Sequence, residues 1–265
     1  MAADHNALKE TFSAAATEAD VEELKRLIEQ GVDQFFRRYE KHTLLLSICS
    51  KGHSSILHLL LSLEGDREWE ANCHDSAAFE RACAHGHVAI VRQLLALQPP
   101  RDVHVHGYQE LPFRLACAGG HLAVVEEMLS LTGVRAVDVG ADHGAAFAAA
   151  CSGGHLPVVQ RLLGIQSPRQ IDPTANSDTA FRGACAKGHL PVVQLLLTLE
   201  GDRRVDVHAL RDMALIEACK GGHLGVVNEL LALTGDREMD LAQVGPACAT
   251  AACEAGQGGV LRALL

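Results

Sequence analysis

The dipeptide Gly-His stands at Gly52-His53, Gly86-His87, Gly120-His121, Gly154-His155, Gly188-His189 and Gly222-His223, each pair 34 residues after the last, and Gly256-Gln257 extends the series. No residue is inserted or lost across these seven units. A fixed period of a few tens of residues defines an array of supersecondary units, none of which can bury its apolar face alone, so neighbours must stack into one extended core. Cysteine obeys the same period at Cys49, Cys83, Cys117, Cys151, Cys185, Cys219 and Cys253, which places seven of the nine thiols in one column. Arginine makes a third column at Arg67, Arg101, Arg135, Arg169, Arg203 and Arg237. Two residues further on comes an apolar column: Trp69, Val103, Val137, Ile171, Val205 and Met239.

Within one unit, the short apolar run Ala77-Ala78-Phe79 with Ala82-Cys83 predicts a first helix that Gly86 breaks. Val88, Ile90, Val91, Leu94, Leu95 and Leu97 predict a second helix buried along most of one side. In other units Gly65, Gly133, Gly201 or Gly235 is expected to close that helix in the left-handed conformation. A polar stretch such as Val137-Asp138-Val139-Gly140-Ala141-Asp142-His143 then returns to the next first helix, and is long enough for an extended, finger-like loop. Aromatics make up only 4%, so the apolar volume comes mainly from Leu, Ala and Val, which suits closely packed helices.

Helix, tight turn, longer helix and projecting loop resemble the ankyrin repeat. The resemblance rests on Ala-Cys-x-x-Gly-His-x-x-x-Val-x-x-Leu-Leu, seen as Ala184-Cys185-Ala186-Lys187-Gly188-His189-Leu190-Pro191-Val192-Val193-Gln194-Leu195-Leu196-Leu197, and it covers nearly the whole chain. It implies an all-α, ankyrin-like helical repeat solenoid of about seven to eight repeats with projecting loops. Residues 1–33 read as an amino-terminal capping repeat with a charged exterior. Residues 34–265 read as six 34-residue repeats followed by a partial eighth, all one continuous solenoid. The sequence departs from the family in two ways. Thr179-Ala180-Phe181-Arg182 and Leu111-Pro112-Phe113-Arg114 replace the usual Thr-Pro-Leu-His, and the period exceeds the usual value of about 33, placing one extra residue after the second helix. Val260-Leu261-Arg262-Ala263-Leu264-Leu265 stops inside a second helix with an apolar stripe, which suggests a piece of a longer protein or an end covered by a partner.

The formal net charge of −10 argues against nucleic acid, whose binders present a basic stripe to the phosphates. No segment approaches the roughly 18–20 apolar residues of a membrane span, and Met1 to Glu10 lacks the apolar middle of a secretion signal. A reducing, cytoplasmic setting without membrane insertion is therefore expected. Cys-x-x-x-His, as in Cys83 with His87 or Cys185 with His189, offers two zinc-ligand types per unit where a structural site needs four converging ligands. Cys is read instead as filling a small core position, and the resemblance implies that His bonds the backbone at the turn. Column members about 10 Å apart are too distant for disulfides, which need about 7 Å or less. Asp138, Asp172, Asp206 and Asp240 follow the Arg column by three residues, and are expected to neutralise it within or between repeats. No metal and no cofactor is expected.

No Gly-Lys-Ser/Thr phosphate loop, His-Glu-x-x-His or Gly-x-Ser-x-Gly occurs, and residues repeated in every unit are poor candidates for a single catalytic centre. The chain is read as no enzyme. The resemblance implies that partners lie against the loop tips and the exposed side of the first helices. The candidates there are Tyr39, His42, Lys51, His74, His85, Tyr108, Glu110, Arg114, Asp142, Asn176, Asp178, Arg182, Lys187, Leu210, Asp212 and Lys220. Tyr39 and Tyr108 are the strongest anchors, since exposed aromatics concentrate binding energy. The function expected is a non-enzymatic module that recognises a protein partner through a long concave surface. Two alternatives stand beside it: an architectural subunit docked through its uncapped carboxyl-terminal repeat into a larger complex, and the targeting arm of a longer enzyme. Several His residues fall in the variable loops, which makes a pH-sensitive interface a further expectation.

Overall fold

The computed structural model describes residues 2–63, 69, 73–99, 101–166 and 170–264, and the side chains of 2–4 and 73–75 lie outside that description. Among the described residues the chain consists of helices and connecting turns, with no strand. It divides into two compact units, Met1–Ala116 with Ala123–Val137 and Cys117–Leu122 with Asp138–Leu265. In the first unit α1 (Ala2–Glu18), α3 (Arg38–Lys51) and α5 (Cys73–Ala84) pack in order against one another. Their partners are α2 (Val21–Glu29), α4 (Ser54–Leu61) and α6 (Val88–Leu95), and α7 (Leu111–Ala118) and α8 (Leu122–Leu129) follow. In the second unit α9 (Ala141–Ser152), α11 (Ala175–Ala186), α13 (Ala209–Gly221) and α15 (Leu241–Glu254) form one layer. The other layer is α10 (Leu156–Leu163), α12 (Leu190–Leu197), α14 (Leu224–Leu231) and α16 (Gly258–Leu264). First helices touch first helices and second helices touch second helices, which is the packing of a helical repeat solenoid.

The core follows the sequence columns. Phe79, Phe113, Phe147 and Phe181, with Leu215 at the same register, are fully buried between first helices. The second helices bury Val158, Val159 and Leu162, or their counterparts Val192, Val193 and Leu196. Cys49, Cys83, Cys117, Cys151, Cys185 and Cys219 occupy the small core position, whereas Cys253 at the next register is exposed. No described residue covers that last thiol as the following repeat covers the others. At the amino-terminal end Phe12 lies 5.0 Å from Phe36 and 6.3 Å from Trp69, ring centre to ring centre. This aromatic cluster fills the space that Leu and Val fill elsewhere.

Side chains of the next repeat close most of the helix ends. Nε2 of His53, His87, His155, His189 and His223 lies 2.8–3.0 Å from the carbonyl oxygens of Thr17, Ser50, Ala118, Ser152 and Ala186. These carbonyls belong to the last turns of the preceding first helices, so each ring carries its proton on Nε2 and donates it. Arginine treats the second helices alike. Arg101, Arg135, Arg203 and Arg237 donate at 2.8–3.1 Å to the carbonyls of Leu61, Leu95, Leu163 and Leu197, the last residues of α4, α6, α10 and α12. A cation at a helix carboxyl terminus also meets the negative end of the helix dipole.

Two sequence expectations change as a result. Gly133, Gly201 and Gly235 have positive φ, but they open short 3₁₀ turns several residues beyond α8, α12 and α14 rather than capping them. The carbonyls that such a cap would satisfy are held by Arg237 at α12, where Thr198 remains right-handed. The Arg–Asp ladder also resolves into two main-chain roles. While Arg binds helix-end carbonyls, Asp138, Asp172, Asp206 and Asp240 accept the N–H two residues further on, at Gly140, Thr174, His208 and Ala242. Gly65, Arg67, Glu70 and Arg169 lie outside the described residues.

Glycine in the Gly-His pair is needed twice over. Gly188 has φ +76°, and a β-carbon there would collide with the imidazole of His223 from the next repeat; Gly201 has φ +61° and nothing within 4 Å. Gly201→Ala should cost about 1–2 kcal/mol, the left-handed penalty alone. Gly188→Ala should cost clearly more, because His223 must also give up its carbonyl. Urea unfolding of both variants compares the two.

Candidate functional site

Ahead of the turns that lead into α7, α9 and α13 the chain is extended and buries alternate residues: Val103 and Val105, Val137 and Val139, Val205 and Val207. It then makes an unusual turn. Asp142, His143 and Gly144, then Asn176, Ser177 and Asp178, then Leu210, Arg211 and Asp212 are runs of three left-handed residues with φ between 51° and 75°. Gln109, Glu110 and Ser76 take the same conformation. Each non-glycine residue there costs roughly 1–2 kcal/mol, so something must hold the turn. The third residue does so. The Ser76 hydroxyl accepts the His104 N–H at 2.7 Å, and the Asp178 carboxylate accepts the Asp206 N–H at 3.2 Å, each from the next loop.

This geometry sorts the candidates. In the first unit Tyr39 is 74% exposed and Tyr108 76%, His85 is exposed and stacks on His87, and His42 and Arg114 are half-buried. Lys51 is exposed but donates to the Thr17 carbonyl beside His53. The side chain of His74 lies outside the described residues. In the second unit Asp142, Asn176, Lys187, Leu210 and Lys220 are exposed. Arg182 folds back onto the Ser177 carbonyl and the Thr179 hydroxyl, and Asp212 is half-buried. Glu110 and Asp178 are a correction: as third residues of the turn they are buried, and so are closed to a partner.

Among the described residues of the first unit, two hollows bear on the candidates. One, of about 650 Å³, runs between α1 and α3 over Phe36 and Leu44, with Tyr39 at its rim and Lys9 bridged to Glu40 at 2.8 Å. The other, of about 570 Å³, lies at the loop and is lined by Glu80, Asp102, His104, His106, Tyr108 and Val134. Sequence reading passed over His106 and His208. Each stands four residues before an acidic third residue, so Nδ1 of His106 is 2.7 Å from Glu110, and Nδ1 of His208 is 2.6 Å from Asp212. The signal was there as His-x-x-x-Glu/Asp three repeats apart, hidden because the repeats between carry Gly140 and Thr174. Among the described residues no group of three or more His, Cys, Asp or Glu is placed to hold a metal ion, and no helix is long and apolar enough to cross a membrane.

The family model described as ankyrin repeats (3 copies) matches residues 12–105 and 113–206. That is more than half of the chain, which belongs to the ankyrin-repeat family. Members of this family are generally protein–protein interaction modules. Among solved structures the chain is similar to an ankyrin repeat family protein from Legionella pneumophila, at 18% identity over 90% of this chain and 74% of that one, with a TM-score of 0.38. A search of curated proteins finds no match.

Burial pushes the Asp178 carboxyl up to about 6. A folded-state value above the unfolded one means that the folded chain loses stability as pH rises from about 4 to about 6, and the loss persists above. Asp178→Asn keeps the acceptor for Asp206 and removes the charge, so it should stabilise by about 1–2 kcal/mol more at neutral pH than near pH 4. Thermal unfolding at the two pH values tests this. Burial likewise raises the Cys49, Cys117 and Cys185 thiols to about 12. Exposed Cys253 should therefore alkylate at least about a hundredfold faster than these three in the native protein, as peptide mapping after a short iodoacetamide pulse would show.

Proposed function

We propose that the chain is a non-enzymatic module that recognises a protein partner through its loop tips and the exposed side of its first helices. The observation that carries this reading is the first residue of the left-handed turn. Asp142, Asn176 and Leu210 share one backbone conformation, with φ of 51°, 53° and 54°, yet are an acid, an amide and an aliphatic. A scaffold that repeats its backbone and changes only the projecting side chain separates stability from specificity. Leu210 is the most telling of the three. A bulky Leu is disfavoured at positive φ, and here it is also 53% exposed, so the fold gains little from it. In the first unit the rims of the two hollows carry the corresponding apolar groups, Tyr39 and Tyr108.

Leu210→Asn replaces an exposed apolar contact by a residue that tolerates the left-handed region. It should raise stability by about 1 kcal/mol while weakening partner binding. A triple variant, Tyr39→Ala, Tyr108→Ala and Arg114→Ala, should lose a partner captured by the wild type from native extract, with affinity falling at least about tenfold. A partner held equally by the wild type and all these variants would overturn the reading.

A further inference from the structure

His106 meets an oxygen on each side, a carboxylate and a main-chain carbonyl. Its Nδ1 faces the Glu110 carboxylate at 2.7 Å, and its Nε2 faces the Val134 carbonyl at 2.7 Å. A neutral imidazole has one N–H, so it can serve one of these acceptors and must turn a lone pair on the other. Both contacts are satisfied only when the His106–Glu110 pair holds one extra proton, whichever of the two groups carries it. Three repeats later His208 faces Asp212 at 2.6 Å through Nδ1, and Asp236 lines the rim beside it. The His106 ring thus ties the third residue of its own left-handed turn to the 3₁₀ turn of the next repeat, and the His208 ring holds the third residue of its turn.

We propose that His106–Glu110 and His208–Asp212 are proton-linked braces that fix the loop tips bearing Tyr108 and Leu210, and that these tips are released as pH rises through neutrality. What release does to a partner rests on the binding reading above. The brace itself does not.

The surroundings favour the extra proton. Around His106 stand Asp102 and His104 from its own loop, Glu80 from α5 and Arg135 from the following turn, whose guanidinium is engaged with the Leu95 carbonyl. Around His208 stand Asp206 from its own loop and Arg204, Asp236 and Arg237 along the same rim, where Arg204 pairs with the Asp236 carboxylate at 2.7 Å and Arg237 binds Leu197. The nearby cations are thus spent on other acceptors. Both imidazoles are accordingly raised above their ordinary range, His106 chiefly by the Val134 carbonyl and then by Glu110, His208 chiefly by Asp212. A raised folded-state value makes the brace complete below the ordinary histidine range, and it is lost as pH climbs through the folded value.

The loop at 138–144 serves as an internal control, since Gly140 and Gly144 stand where the braced loops have His and an acid. Amide hydrogen exchange of the whole chain, corrected for intrinsic rates, should show protection of 104–110 and 206–212 falling at least about tenfold between pH 6 and pH 9, while 138–144 changes by less than about twofold. In the double variant His106→Gln and His208→Gln that pH dependence should vanish, with circular dichroism confirming the fold. Braced loops that are flat in the wild type, that follow the control loop, or that keep their pH dependence in the variant would overturn the proposal. No partner enters this measurement, so its failure would leave the binding reading standing, and failure of the capture experiment would leave the braces standing.

Discussion

A helix of eight residues leaves half its carbonyls without an internal partner, and the second helix of each repeat is about that short. The structure depends on how those ends are closed. A histidine from the following repeat closes α1, α3, α7, α9 and α11, and an arginine from the following repeat closes α4, α6, α10 and α12. A charged donor to a carbonyl contributes about 1.5–3 kcal/mol and a neutral one about 1 kcal/mol, so the closures matter beside the apolar core. They are also local to each junction. One repeat cannot satisfy its own ends, which makes the array cooperative for polar reasons as well as hydrophobic ones.

The same logic explains why Gly and His recur as a pair. The glycine turns the chain at positive φ, and the space its missing side chain leaves is where the next repeat's imidazole sits. Two residues adjacent in sequence thus act at two successive junctions. The left-handed turns that start the first helices follow a related rule: at Ser76 and Asp178 the third residue is buried and bonded to the next loop, which holds the strained turn. Strain at the tip is balanced by a bond at the base, which leaves the first residue open to change.

The fold was largely legible in the residues, because a column such as Cys49 to Cys219 or Phe79 to Phe181 repeats the same burial many times and each copy confirms the others. The candidate surface was legible in outline only. Asp142 and Asn176 project into solvent, while Glu110 and Asp178, equally polar and equally variable from repeat to repeat, turn inward. Nothing in the local sequence separates these two groups. Asn176 and Asp178 lie two apart in one turn, and only the left-handed backbone decides which of them faces water. His106 went unnoticed for a related reason, since its partner across the junction is the Val134 main-chain carbonyl, and a carbonyl has no signature in the residue types.

The sequence by itself determined the period, the helix pairing, the identity of the small core position and the membership of the repeat columns. Periodicity is a property of spacing, and spacing survives without coordinates. Only the tertiary structure decided what the columns do: that arginine closes second helices, that the glycines after those helices open turns instead of capping, and that His106 reaches a carbonyl of the next repeat. Those outcomes turn on main-chain carbonyls, which every residue possesses. Which carbonyl meets which donor is set by stacking one repeat on the next.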